Sequence, residues 1–194
     1  MTVAALRPTI VRMPDCVADH VAAVAATALL AELETWPKPG LVSHVDSGSH
    51  TDMDAGTFRA SVAAITPFFG RLTLAGAAGS GMDGLRAIGL EAECEMLKET
   101  AGINTHRGAI FCLGLLCAAA GASWSRSAQS QPLWSPHILG AIVRRQWGPA
   151  ILSGPIPLQS HGTNALRRFG AGGARAEAAA GFPNALDVDR KSVV

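Results

Sequence analysis

Three stretches of this 194-residue chain carry polar groups that helix packing does not need. The first runs Lys38-Pro39-Gly40-Leu41-Val42-Ser43 and continues through Asp46, Gly48, His50, Asp52, Met53 and Asp54. The second is Gly102-Ile103-Asn104-Thr105-His106-Arg107-Gly108. The third opens Ser160-His161-Gly162-Thr163, passes Arg167 and Arg168, and runs from Gly170 through Arg175 and Glu177 to Gly181-Phe182-Pro183. Lys38 and Arg107 are cations beside glycines, where exposed backbone N–H groups can help hold phosphate oxygens. Arg107 also starts a predicted helix, whose N-terminal dipole favours an anion. Asp46, Asp52 and Asp54 set three carboxylates within nine residues, a set suited to a hard cation such as Mg²⁺ that also bridges phosphates. His50 and His106 can donate to phosphate or take part in proton transfer. Cations and carboxylates together point to a nucleotide polyphosphate with its metal.

Plainer readings stand beside these. Asp54 serves equally well as a helix N-cap. Glu91 and Glu95 lie one turn apart, with Glu93 pointing elsewhere, and such a pair is most simply a solvated helix face. His20 and His137 stand alone and receive no role. The run from Gly170 to Arg175 fits a helix-ending turn. G-x-x-x-x-G-K-[ST] is not present, so the P-loop phosphate-binding signature is absent. Spacing favours a magnesium-nucleotide enzyme over a helical binding module.

The elements that must position these residues are helices. Cys16 to Trp36 carries Val17, Val21, Val24, Ala28 and Ala31 at helical spacing, and Trp36-Pro37-Lys38-Pro39-Gly40 ends it. Prolines on either side hold Lys38 in an extended turn. Leu41 to Asp54 has no helical period and reads as a polar loop. A second helix starts near Asp54 or Thr57, with Phe58, Val62, Ile65 and Phe69 forming one apolar stripe. Gly76 to Gly84 reads as a flexible connector to a third helix marked by Leu85, Ile88, Ala92 and Met96. Thr100 to Gly108 is a second polar loop, followed by a buried helix over Ala109 to Ala120. Ser123 to Pro136 reads as exposed, and Ile138 to Trp147 as a short amphipathic helix. No repeat and no strand alternation is visible, so the expected fold is all-α, a multi-helix domain with functional loops between its helices. The N-terminal tail covers residues 1–15.

Composition agrees with that reading. Alanine supplies 35 residues, tyrosine none, and aromatics only 5%, a balance that favours helices over sheets. Hydrophobic residues at 48% and a net charge of +1 exclude a disordered chain. The same charge argues against a nucleic-acid or polybasic membrane binder. The apolar run Ala109–Ala120 is 12 residues, shorter than a bilayer span. No signal-peptide core precedes the first helix. Cys16, Cys94, Cys112 and Cys117 form no CxxC pair or zinc spacing and are expected to be free, buried thiols. A cytoplasmic location follows as the expectation.

Five ordered words carry a family resemblance: KPGLVS at 38–43, D-x-G-x-H-x-D-M-D at 46–54, LRAIGLEAE at 85–93, NTHRGAIF at 104–111, and SHG…GARAEA…GFP at 160–183. In order and in the helices between them they resemble the triphosphoribosyl-dephospho-CoA synthase family, over roughly Leu30 to Pro183. The resemblance implies an all-α enzyme that joins ATP to 3′-dephospho-CoA and releases adenine. The product would pass to a holo-acyl-carrier-protein synthase, as prosthetic-group precursor for malonate decarboxylase or citrate lyase. The chemistry is glycosyl transfer at C1 of the ATP ribose, through an oxocarbenium-like transition state that benefits from nearby carboxylates.

Under that resemblance, Lys38, His106, Arg107 and Arg175 bind phosphates, while Asn104, His50 and His161 orient substrate groups. Asp46, Asp52 and Asp54 hold Mg²⁺, and Asp52, Asp54 and Glu93 serve the sugar chemistry, with Asp52 the first choice for the base. Hydrolysis of an N-glycosidic or ADP-ribosyl bond by the same groups is the rival enzyme reading. A truncated helical module that binds nucleotide without turnover is the rival non-enzyme reading. Family members continue past the GFP word, so residues 16–183 are expected to form an incomplete domain lacking C-terminal helices. The ending Asp189–Val194 shows no helical period and matches what sequencing-adapter read-through would encode; residues 184–194 are expected to be aberrant.

Overall fold

The computed structural model describes residues 13–126, 134–155 and 173–192, and the described residues contain seven helices and no strand. In chain order these are α1 (Asp15–Glu34), α2 (Ala55–Ala77), α3 (Met82–Glu99), α4 (Arg107–Trp124), α5 (Pro136–Ser153), α6 (Gly173–Ala179) and α7 (Pro183–Ser192). The expected all-α class is correct. α2 and α4 run parallel at the centre, with α1 and α3 returning antiparallel to them, so the α1–α2 and α3–α4 loops share one end. α5 packs on α4, and α6 packs on α5.

Alanine and glycine are spent on the α2–α4 contact. A Cβ added at Gly76 would lie 1.9 Å from the Ala118 carbonyl oxygen, and one at Gly121 would lie 1.9 Å from that of Thr73. Both distances are impossible for real atoms, so the two backbones touch because neither position has a side chain. Ala118, Ala119, Ala120 and Ala122 are all buried beside this contact. Larger side chains fill the core around it, with Phe69, Leu33, Ile65, Met96 and Val143 enclosed.

Several elements differ from the expectation. The buried face of α1 is Ala18, Val21, Ala22, Ala25, Leu29 and Leu33, while Val24 is exposed. In so alanine-rich a helix the valines gave a false stripe, because small residues pack as well as large ones where helices come close. Gly76 is helical rather than part of a connector, and only residues 78–81 join α2 to α3. α4 covers 18 residues instead of 12, and beyond Ala120 it continues because Gly121, Ala122 and Ser123 are enclosed by neighbours. α1, α2 and α4 are each long and apolar enough, by length and composition, to cross a membrane. Ser123 is buried in α4, and the Trp134 indole N–H donates to the Ala120 carbonyl at 3.3 Å, so this segment is not uniformly exposed. α5 continues through Pro149 to Ser153.

The chain's end carries a further helix. α7 begins at Pro183 and continues to Ser192, although no apolar stripe announces it. Glu177 supplies its start: its carboxylate accepts from the Asn184 and Ala185 N–H groups at 2.8 and 3.2 Å and from Asn184 Nδ2 at 2.6 Å. A carboxylate on the first N–H groups satisfies donors that have no partner within the helix. All four cysteines are free, but only Cys117 is buried, and Cys16 and Cys94 are exposed. Burial pushes the Cys117 thiol up to about 12, which makes it unreactive.

Candidate functional site

The shared end of the bundle gathers most of the sequence-predicted residues. The α1–α2 loop folds back on itself through short-range bonds. Ser43 Oγ accepts from the Val45 and Asp46 N–H groups at 3.2 Å each, and the Ser43 N–H donates to the Asp46 carbonyl at 2.8 Å. Asp46 Oδ1 accepts from the Gly48 N–H at 2.8 Å. Gly48 has φ +58°, and a Cβ there would sit 2.5 Å from the Gly40 carbonyl carbon. Glycine is therefore required twice over, by conformation and by space. The loop is anchored to α1 by the His44 N–H, which donates to the Leu33 carbonyl at 3.1 Å.

Lys38 does not stand free. Its Nζ donates to the Glu32 carbonyl at 2.7 Å and to Glu32 Oε1 at 2.8 Å, and its side chain is only 9% exposed. The ammonium thus closes the C-terminal turn of α1 and is neutralised there. Glu32, which no motif singled out, is the acid of this end. Its charge also reaches His106.

His106 is buried, at 5% exposure. Its Nδ1 lies 2.7 Å from Ser61 Oγ and 3.1 Å from Thr105 Oγ1, and Thr105 donates to Ser61 Oγ at 2.7 Å. The Phe58 ring meets the imidazole edge-on at 4.8 Å, and the His106 N–H donates to Met96 Sδ at 3.1 Å. Burial pushes His106 below the ordinary imidazole range, with the Glu32 charge acting the other way. A ring held neutral meets phosphate as a hydrogen-bond donor and not as a cation. Ser61 and Thr105 were missed as well. The available signal was a serine inside the Phe58–Val62–Ile65 stripe, where a core position should be apolar.

Arg107 Nε donates to Glu93 Oε2 at 2.8 Å across the α3–α4 corner, and Asn104 Oδ1 accepts from the Arg107 N–H at 3.2 Å. Asn104 therefore acts on the first turn of α4, while Glu93 is a quarter exposed and shares its charge with an exposed guanidinium. His50 Nδ1 and Asp52 Oδ1 lie 3.7 Å apart, both well exposed. Asp54 is the N-cap of α2: its Oδ1 accepts from the Thr57 N–H at 2.8 Å and Oγ1 at 3.0 Å, which holds its carboxyl below the usual carboxylate range. On the α3 face, Glu91 pairs with Arg71 at 2.7 Å and Glu95 with Lys98 at 3.3 Å. That face is solvated, as its spacing indicates.

The structure does not assemble the expected metal ligands. Asp46 closes a turn and Asp54 caps a helix, and only Asp52 carries neither duty. Among the described residues no group of three His, Cys, Asp or Glu side chains is placed to hold a metal ion. The donor set does not fit a resident magnesium. Arg175 serves a helix end in the same way. Its guanidinium donates to the carbonyls of Ile151, Leu152, Gly154 and Pro155 and closes the C terminus of α5. A cation on those last carbonyls also meets the negative end of the helix dipole. It starts a helix rather than lying in a helix-ending turn. His161 lies outside the described residues, as do Arg167 and Arg168.

Against this geometry, sequence comparison is decisive. The family model described as ATP:dephospho-CoA triphosphoribosyl transferase matches residues 18–190. The chain belongs to that family. The match reaches beyond the five words at both ends and takes in most of α1 and α7. The chain is 40% identical over 177 residues to a probable 2-(5″-triphosphoribosyl)-3′-dephosphocoenzyme-A synthase of Albidiferax ferrireducens, covering 86% of this chain and 57% of that relative. A probable synthase of the same name in Pseudomonas putida is 39% identical, covering 86% and 58%. The synthase of that name in Klebsiella pneumoniae is 38% identical, covering 88% and 59%. The chain thus spans under three fifths of the length of these transferase-family relatives. No solved structure matches it.

Proposed function

We propose that this chain carries the nucleotide end of an enzyme that transfers the triphosphoribosyl group of ATP to the 2′-hydroxyl of 3′-dephospho-CoA, releasing adenine. The observation that carries the reading is the family match over residues 18–190, whose first, second and fourth words meet at one end of the bundle. Arg107, His50 and Asn104 border that end and are the groups assigned to phosphate and ribose oxygens. Lys38 and Glu32 set its shape. Asp52 is the carboxylate free of turn and capping duties, and we assign it the hydroxyl proton of the acceptor. Magnesium enters on the triphosphate as part of the substrate. The product is the prosthetic-group precursor for the acyl carrier protein of malonate decarboxylase or citrate lyase, delivered to a holo-acyl-carrier-protein synthase. A cytoplasmic site without nucleic acid fits the net charge of +1.

The test is adenine release from ATP and magnesium, with and without 3′-dephospho-CoA. Acceptor-dependent release, lost in Asp52→Asn while the helical circular-dichroism signal is kept, is the expected result. Release that needs no acceptor would replace transfer by hydrolysis. Binding of ATP without release would leave a nucleotide-binding module.

A further inference from the structure

Glu93 and Arg107 meet across the α3–α4 corner, yet the corner closes without them. The Gly102 N–H donates to the Leu97 carbonyl at 2.6 Å and the Ile103 N–H to the Thr100 carbonyl at 3.1 Å, while the Thr100 hydroxyl donates to the Ile103 carbonyl at 2.6 Å. Asn104 Oδ1 accepts from the Arg107 N–H at 3.2 Å, which fixes the backbone where α4 begins. An ion pair near the surface adds little to stability, because water screens it and two long side chains must be ordered. The order of the two groups in depth suggests a different use. The Glu93 side chain is 24% exposed and that of Arg107 52%, so the carboxylate lies deeper than the guanidinium it holds. The contact is made at Nε, at 2.8 Å. A guanidinium carries five N–H donors. One is spent on Glu93, and the four on the two Nη groups lie beyond it.

An unheld arginine samples many rotamers, and that freedom is lost when its fork meets two oxygens at once. A carboxylate on the neighbouring helix, fixed at Nε, removes the freedom in advance. It leaves the Nη groups as a planar fork, the arrangement that recognises phosphate through two parallel hydrogen bonds. We propose that Glu93 is a positioning residue, which holds Arg107 by Nε so that its two Nη groups meet phosphate oxygens of a bound substrate. Glu93 then acts through Arg107 and touches no atom of the sugar. Its charge and its geometry work in opposite directions. As a charge it weakens the binding of an anion beside it, and as an acceptor it orders the group that binds the anion. Order outweighs charge here. Phosphate oxygens are common to ATP and 3′-dephospho-CoA, and the use of the fork on either rests on the function proposed above.

The experiment is calorimetric titration of the chain with magnesium and ATP, and separately with 3′-dephospho-CoA, for the parent, Glu93→Gln, Glu93→Ala and Arg107→Ala. Arg107→Ala should lose about a hundredfold in affinity for the ligand that the fork holds, the loss of charged hydrogen bonds. For that ligand Glu93→Ala should bind about tenfold more weakly. Glu93→Gln keeps the acceptor and drops the charge, and should bind at least as well as the parent. In Glu93→Ala/Arg107→Ala the affinity should equal that of Arg107→Ala alone. Tighter binding in Glu93→Ala would make Glu93 a counter-charge only and overturn the proposal. So would a Glu93→Ala loss that persists in the Arg107→Ala background, or no effect of Arg107→Ala on either ligand. Unchanged affinity in both Glu93 variants with adenine release lost would put the carboxylate at the sugar instead. A urea midpoint that falls with affinity in Glu93→Ala would assign the residue to the fold. The positioning itself is read on the free chain, where the Arg107 Nε–H should give a ¹⁵N–¹H resonance that resists solvent exchange and is lost in Glu93→Ala. A rapidly exchanging Nε–H in the parent overturns the positioning with no variant needed. Failure to bind either ligand overturns the function proposed above, while the Nε–H resonance still decides what Glu93 does to Arg107.

Discussion

The α2–α4 pair is built in opposite ways at its two ends. At the C-terminal end, Gly76 and Gly121 let backbone rest on backbone, and nothing polar is asked of the side chains. At the N-terminal end, Ser61, Thr105 and His106 hold the same two helices through hydrogen bonds around a ring. The first end depends on volume and tolerates no added atom. The second depends on partners and tolerates no missing one. A helix pair fixed sterically at one end can carry a polar cluster at the other, because the cluster need not supply the adhesion. Its hydroxyls and ring are then free to be set by direction.

Substitutions at the two ends should separate these modes. Gly121→Ala adds a favourable helix propensity of about 1 kcal/mol, but the clash with the Thr73 carbonyl should cost about 3 kcal/mol. The net loss should appear as a lower urea midpoint. Ser61→Ala should cost about 1 to 2 kcal/mol by the same measurement, because it removes a buried hydroxyl from two partners. A loss as large as at Gly121 would mean that the polar end carries adhesion too.

Smaller effects sharpen the contrast. Arg175→Met should lose about 1 kcal/mol of stability, from uncapped carbonyls at the end of α5. ATP affinity by calorimetry should stay unchanged, whereas a phosphate ligand at this position would lose it. The polar end should also make stability depend on pH. His106 has a lowered folded pKa, so the unfolded chain binds more protons between that value and the ordinary value of about 6.5. Its contribution is present above about 6.5 and is lost as pH falls toward the folded pKa. Urea midpoints from pH 8 to 5 should fall, with a shallower slope in His106→Gln. Gly108→Ala is the control on the same helix. It has nothing within 4 Å of an added Cβ and should stabilise by about 0.5 kcal/mol.

What could be read in advance followed from local physics. The stripe Phe58–Val62–Ile65–Phe69 was legible because large apolar residues at helical spacing leave one face to bury. The Asp54 cap was open between two uses, and the capping box with Thr57 settled it in favour of structure. The roles of Lys38 and Arg175 could not be read. A lysine between prolines and an arginine among glycines suggest phosphate, and only their distances to the ends of α1 and α5 show the carbonyls they serve. The three aspartates stand apart for a related reason. Three aspartates within one loop are near in sequence, but each side chain followed its own nearest N–H group or histidine.

The sequence by itself determined the helical class, the polar loops between helices, and the ordered words that mark the family. These depend on residue type and short spacing, which the chain carries wherever it folds. Tertiary structure decided which polar groups meet. Ser61 lies 45 residues from His106 in the chain, and their meeting depends on two glycines at the far ends of α2 and α4. It also decided charge, because a histidine is neutral or cationic according to what encloses it. Burial and hydrogen-bond direction are properties of packing, and no spacing rule along the chain contains them.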